Sequence, residues 1–415
     1  MTRLGDVADM LVGFAFKSTG FLEADSDGVR LLRGDNVQQG YLRWGYKTKK
    51  WPVTQCDGLE RYQLAEGDVI LAMDRPIVGD GLKMAWVRAE DLPALLVQRV
   101  CRLRGRPGLA LTDFIRYVLA APEFSAHIHR ITTGANIPHI SGKDIAAYEF
   151  ELPTLVDQAR IVECLTAYDD LIAINQRRIA LLEDAARCLY REWFVHLRFP
   201  GHESTPVKDG VPEGWLRGTA HDFIAILSGG TPRTGIDHYW GGEIPFFTPK
   251  DSPNAYYVLE TEKTLTEAGL SSCNSRLFHK NTTFITARGT VGKVALAQRP
   301  MAMNQSCYAL VPKKEFDELF LFMAVKDAVE HLKQVAVGGV FDAIVVDTFK
   351  VIPFVLPVAS VTRSFGERVR PLFQQVETLL LQNQQLARAR DLLLPKLMSG
   401  QLDVSGIRLP DEVAA

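Results

Sequence analysis

Hydrophobic positions along this chain follow two regimes, and each regime is used twice. Short apolar runs broken by Gly, Pro, Asn and Asp turns fill residues 1–153 and 200–357, a pattern of strands with a helix expected over 111–128 in the first stretch and 315–335 in the second. After each stretch the period changes to seven. Leu165, Ile172, Ile179, Ala186 and Trp193 recur every seven residues, interleaved with Ile161, Tyr168, Asn175, Leu182 and Leu189. Val369, Val376, Asn383, Arg390 and Leu397 do the same near the end, interleaved with Phe365, Leu372, Leu379, Leu386 and Leu393. These a/d seams predict two long coiled-coil helices, 154–199 and 358–400, with a tail over 401–415. Leu152-Pro153 opens the first and Leu356-Pro357 the second, about half a chain apart.

Each seam holds one central asparagine, Asn175 at a d position and Asn383 at an a position. Antiparallel packing sets a layers against d layers, so the two can meet, and a buried polar pair selects register. That register stacks Trp193 on Phe365, Ala186 on Leu372, Leu182 on Val376, Ile179 on Leu379, Ile172 on Leu386, Leu165 on Leu393 and Ile161 on Leu397. Arg390 then faces Tyr168 in an expected cation–π contact. The first helix would run roughly 60 Å at 1.5 Å per residue. Pro395 is expected to kink the second, because an interior proline removes a hydrogen bond.

The two heads match segment by segment. Gly13 and Lys17 correspond to Gly229 and Arg233 in turns that follow apolar strands. Residues 29–36 align with 244–251, which places Arg33 and Lys250 in equivalent polar turns. Arg75 and Arg288 each begin R-x-x-V-G, followed by Lys83 and Lys293. Gln98 aligns with Gln305, preceded by Val97 and Asn304, and Gly134 aligns with Gly338. The expected fold class is α+β: two similar heads mixing strands and helices, separated by an antiparallel coiled coil and related as a pseudo-two-fold internal repeat. Turn geometry alone competes with function as the reason for the repeated Arg, Gly and Lys.

Charge narrows the reading. The net charge is −2, and the heads are close to neutral, with 19 basic and 18 acidic residues over 1–150 and 15 and 17 over 201–357. Nucleic-acid binding must then come from local patches or from basic partners. Six cysteines lie far apart without a C-x-x-C pair, which argues against a zinc knuckle or disulfide framework. Gly289-Thr290-Val291-Gly292-Lys293-Val294 has the wrong spacing for a phosphate loop, and His127 and His129 alternate on a predicted helix without a third ligand. No signature of a nucleophile, a zinc protease or an amino methyltransferase is found, so any chemistry is expected in another polypeptide. The sequence has no apolar run of membrane-spanning length and no secretory signal, which predicts a cytoplasmic protein without membrane attachment.

Gly229-Gly230-Thr231-Pro232, Ala287-Arg288-Gly289-Thr290-Val291-Gly292-Lys293, Asn304-Gln305 and the helix end Leu393-Leu394-Pro395-Lys396-Leu397-Met398-Ser399-Gly400 occur in order within this duplication. Over nearly the whole chain that pattern resembles the specificity subunit of type I restriction-modification systems. The resemblance implies that each head is a target recognition domain reading one half of a split duplex DNA site, and that the coil separates the heads and docks two methyltransferase subunits. It also implies motor-nuclease subunits in the assembly, and S-adenosylmethionine, ATP and Mg2+ used by the partners, with no cofactor in this subunit. The first head departs from the pattern at Gly13-Phe14-Ala15-Phe16 and at Val97. Arg33, Arg75, Lys83, Lys250, Arg288 and Lys293 are candidates for phosphate or guanine contact, and Gln98, Asn304 and Gln305 for adenine edges. For the amides, strand-end hydrogen bonding is the competing role. Two other classes remain open: a coiled-coil scaffold or homo-oligomerising protein that does not bind DNA, and a chain that is itself a nuclease or methyltransferase.

Overall fold

The computed structural model describes residues 1–79, 81–132, 138–335 and 343–407, and the side chains of 332–335 are outside that description. The equivalence of Gly134 with Gly338 falls outside the described residues. The chain divides into two compact units, Met1–Asp170 with Leu386–Ala415, and Leu171–Gln385. The division cuts both long helices instead of following their ends, because each half of the helix pair buries its apolar side chains with one head.

In the first unit a four-stranded antiparallel sheet has the order Ala8–Val12, Val100–Gly105, Val69–Ala72, Met84–Trp86. A smaller sheet pairs Val29–Leu32 antiparallel with Lys50–Trp51 and parallel with Ala94–Leu96. The helix expected over 111–128 is two helices, Thr112–Ala120 and Pro122–Thr132. Pro122 explains the break, since it cannot continue the first helix but suits the first position of the next. Leu4, Phe114, Phe124, Ile161, Leu165, Leu394 and Leu397 share one core. Val404 is buried there and Ile407 packs against it, so the described part of the C-terminal segment belongs to this head.

The second unit repeats the plan. Its main sheet runs Ile224–Ser228, Cys307–Pro312, Thr283–Thr286, Val294–Ala297, Tyr257–Val258, and a smaller sheet pairs Trp240–Phe247 parallel with Ala302–Met303. Backbone hydrogen bonds establish the repeat residue by residue. Arg33 N donates to Asn36 Oδ1 as Thr248 N donates to Asp251 Oδ2. Ala72 N donates to Lys83 O at 2.9 Å, and Thr286 N to Lys293 O at 3.0 Å. Phe14 N donates to Leu96 O as Gly230 N does to Met303 O. Lys83 is thereby equivalent to Lys293, and Gln98 to Gln305. One alignment shifts: Met73 N bonds to Arg99 O where Ala287 N bonds to Ser306 O, which sets Arg288 level with Asp74 and not with Arg75. The connecting loop is longer in the first head, so a motif match across it slips by one residue.

Gly13 and Gly229 occupy the same crowded place. A Cβ on Gly13 would lie 2.4 Å from the Val97 carbonyl, and one on Gly229 2.3 Å from the Asn304 carbonyl oxygen. No side chain fits between those backbones. The turn carrying Gln98 or Gln305 can close against the preceding strand only because glycine is there.

The first long helix is α-helical over Leu155–Tyr190 and continues as a π-helical turn over Arg191–Val195, and the second spans Ala359–Met398 without interruption at Pro371 or Pro395. Within the second unit, Asn175 Nδ2 donates to Asn383 Oδ1 at 3.0 Å, Asn383 Nδ2 reaches Ile172 O at 3.3 Å, and the Trp193 and Phe365 ring centroids lie 5.8 Å apart. Phe373 and Leu394, outside the predicted seam, are also buried, because the second helix packs on the heads as well as on its neighbour. The expected contact of Arg390 with Tyr168 is corrected within the first unit. Arg390 Nη1 donates to Asp169 Oδ1 at 2.7 Å, and the carboxylate also takes bonds from Arg116 and, at 2.8 Å, from the Tyr117 hydroxyl. A full carboxylate offers a guanidinium more than the face of a ring does.

Asp169→Ala should destabilise the first head by about 3 kcal/mol, because Arg116 is left buried with its carboxylate gone. Urea unfolding reads that loss. In the second unit the Glu183 carboxyl is pushed up to about 7 by burial, against the opposing pull of the Tyr256 N–H and Lys326. A folded pKa above the unfolded one stabilises fully below about 4.5 and loses that stabilisation as pH rises through about 7. Glu183→Gln should therefore change stability little at pH 4 and raise it above pH 7, by roughly 1–2 kcal/mol after allowing for partial exposure. Thermal melts across that range compare the two proteins.

Candidate nucleic-acid interface

The first head gathers its basic candidates around one concavity. Arg33, Arg75, Lys83 and Gln98, which come from four different turns, line a cleft of about 580 Å³ together with Phe16, Phe21, Asp74 and Arg99. Each is delivered by a chain reversal. Arg33 leaves the strand Val29–Leu32, Arg75 follows Val69–Ala72, Lys83 enters Met84–Trp86, and Gln98 and Arg99 connect Ala94–Leu96 to Val100–Gly105. The cleft is the place where several strand ends of the two sheets open together.

Its electrostatics are basic with an acidic brace. Burial depresses the Lys83 ammonium below the usual lysine value, opposed by Asp35 and Asp74 and reinforced by Arg75 and Arg43. The Arg33 guanidinium lies 5.9 Å from the centroid of Phe21. Burial by itself would raise the Asp74 carboxyl, but hydrogen bonds and charge from Arg99 and His139 outweigh it and hold the group below the usual carboxylate range. Arg75 and Arg99 have φ of 45° and 65°, a conformation that non-glycine residues seldom adopt and that clusters at binding sites. Guanidinium and amide groups on such a rim match the donors and acceptors of base edges, and the ammonium suits phosphate.

In the second head, Lys250, Arg288, Lys293 and Gln305 are exposed and Asn304 is half-buried. Lys250 is 3.9 Å from Glu262, and Gln305 Oε1 accepts from the Thr231 hydroxyl. Asn304 Oδ1 accepts from Ser306 N at 3.0 Å, the strand-end role that competes with base contact. Lys250 is equivalent to Asp35 and not to Arg33, so charge is distributed differently on the same frame. Arg99, Asp74 and His139 were not among the sequence candidates. Arg99 directly follows Gln98, but the fold that brings Asp74 and His139 to it leaves no trace in local spacing. Among the described residues no three His, Cys, Asp or Glu side chains group to hold a metal ion, and no helix is long and apolar enough to cross a membrane.

Comparison with known proteins agrees with the duplicated architecture. The family model described as "Type I restriction modification DNA specificity domain" matches residues 1–184 and again 212–385. The chain is 21% identical to the type I restriction enzyme HindI specificity subunit of Haemophilus influenzae, covering 84% of this chain and 90% of that one. It is 35% identical to the EcoAI specificity subunit of Escherichia coli over 41% of this chain and 28% of that one. The type I restriction-modification S subunit from M. genitalium shares the fold, with a TM-score of 0.55 at 14% identity and 95% of both chains covered. With a head and its helix occurring twice, and both copies matched, this chain belongs to the specificity subunits of type I restriction-modification systems and carries two target recognition domains.

Proposed function

We propose that this chain binds duplex DNA at a split target, one half-site per head, and docks two methyltransferase subunits along its helix pair. The observation that carries this reading is the pair of heads built on one hydrogen-bond frame but bearing different side chains at equivalent turns, such as Asp74 against Arg288. A shared support with altered tips is what two related readers of different base sequences require, since base edges specify and phosphates position. Near-neutral net charge fits a reader that leaves much of the phosphate contact to its partners. S-adenosylmethionine, ATP and Mg2+ are used by those partners, motor-nuclease subunits among them, and this chain supplies no catalytic group.

Ile174, Leu181 and Cys188 support the docking role. They are exposed and spaced by seven, and so form one apolar line on the outer face of the first long helix. Ile174→Glu with Leu181→Glu should abolish co-purification of the methyltransferase while leaving the melting temperature of this chain within a few degrees of wild type. Retained co-purification would remove that face from the interface. For recognition, adenine methylation is mapped in cells with and without the chain. A split motif that disappears with the chain is expected, and an unchanged methylation pattern would refute DNA reading.

A further inference from the structure

Arg99 is held more firmly than an exposed arginine needs to be. It sits at the turn into Val100–Gly105 with φ of 65°, and its carbonyl accepts from Met73 N at 2.9 Å. Its side chain is 67% exposed, yet Nη1 donates to Asp74 Oδ2 at 2.8 Å. The other oxygen of Asp74 meets His139 Nδ1 at 2.6 Å. A carboxylate gripped from both sides tethers the guanidinium at one nitrogen and limits where it can swing. Of the five N–H donors of an arginine, this bond uses one, and the free edge retains the parallel pair that matches a planar acceptor.

The second head sharpens the point. The same backbone anchors recur there, with Ala287 N bonded to Ser306 O and Ile344 N to Ala287 O as Met73 N is to Arg99 O and Ile140 N to Met73 O. Ser306 stands in the place of Arg99 and Arg288 in that of Asp74, so the brace belongs to one head alone. A feature needed for folding would be expected in both.

Given the DNA-reading role proposed above, on which this step rests, we infer that Arg99, oriented by Asp74 and His139, reads a guanine in the half-site bound by the first head, donating to its O6 and N7 in the major groove. Asp74 and His139 are positioning residues. A phosphate also accepts two donors from an arginine, but every duplex offers phosphates whatever its sequence, which gives no reason for the brace to stand in one head alone. Guanine, with two acceptors on one edge, does.

The test uses the full chain assembled with its methyltransferase partner, on duplexes carrying each base in turn at every position of the motif mapped in cells. Arg99→Gly suits the backbone conformation and removes the fork, while Arg99→Lys keeps the charge without it. Both should lower discrimination for guanine at one position of one half-site by roughly five- to a hundred-fold, with base preference in the other half unchanged. Asp74→Asn should weaken selectivity at that same position only, whereas general loss of structure would spread over the half-site. The inference is overturned if Arg99→Lys retains the wild-type base preference, if the variants lose affinity equally for all bases, or if the affected position is not guanine. Failure of DNA reading itself would show earlier and separately, as wild-type complex that methylates without sequence preference.

Discussion

The hydrogen bond between Asn175 and Asn383 is the constraint on which the helix register depends. Asn175 is almost wholly buried in an otherwise apolar seam. A slip of one heptad would part the two amides and set one of them against an aliphatic layer, Asn383 on Leu182 or Asn175 on Val376, where it is left unsatisfied at a cost of about 1–3 kcal/mol. Leucine layers by themselves would accept several registers almost equally. The paired amides accept one, and with it come the contact of Trp193 with Phe365 in the second unit and the helix faces left for the head to cover.

A second kind of constraint operates where each head reverses direction. Gly13 and Gly229 let backbone pass against backbone, and that close approach sets the turn bearing Gln98 or Gln305. The parallel strand pairs Leu32 with Leu96 and Phe247 with Met303 then bring the neighbouring turn alongside. Because main-chain bonds hold this frame, side chains at the turn tips are free to differ. Arg99 braced by Asp74 in one head, and Ser306 beside Arg288 in the other, are two outcomes on one support. The two heads thus share a main-chain frame and differ at its tips.

The duplication, the Leu-Pro openings, the two heptad seams and the asparagine register were all legible in the sequence, because periodicity and buried polarity are local signals. So was the equivalence of Lys83 with Lys293 and of Gln98 with Gln305. The helix break at Pro122 was a misread local signal, since its steric rule is written in the sequence. The pairing of Arg75 with Arg288 failed for a different reason. Loops of unequal length make a motif match ambiguous by a residue, and only hydrogen-bond register removes the ambiguity.

Sequence alone therefore determined that the chain is two related α+β heads, each followed by a long seamed helix, since apolar period and turn residues are properties of neighbours along the chain. Tertiary structure decided which charges meet. Asp169 takes Arg390 away from Tyr168, Asp74 joins Arg99 to His139, and Arg33, Arg75 and Lys83 converge on one cleft. The paired charges are separated by 25 to 221 residues. An ion pair depends on distance in space and on the loss of water around it, and neither is encoded by spacing in sequence.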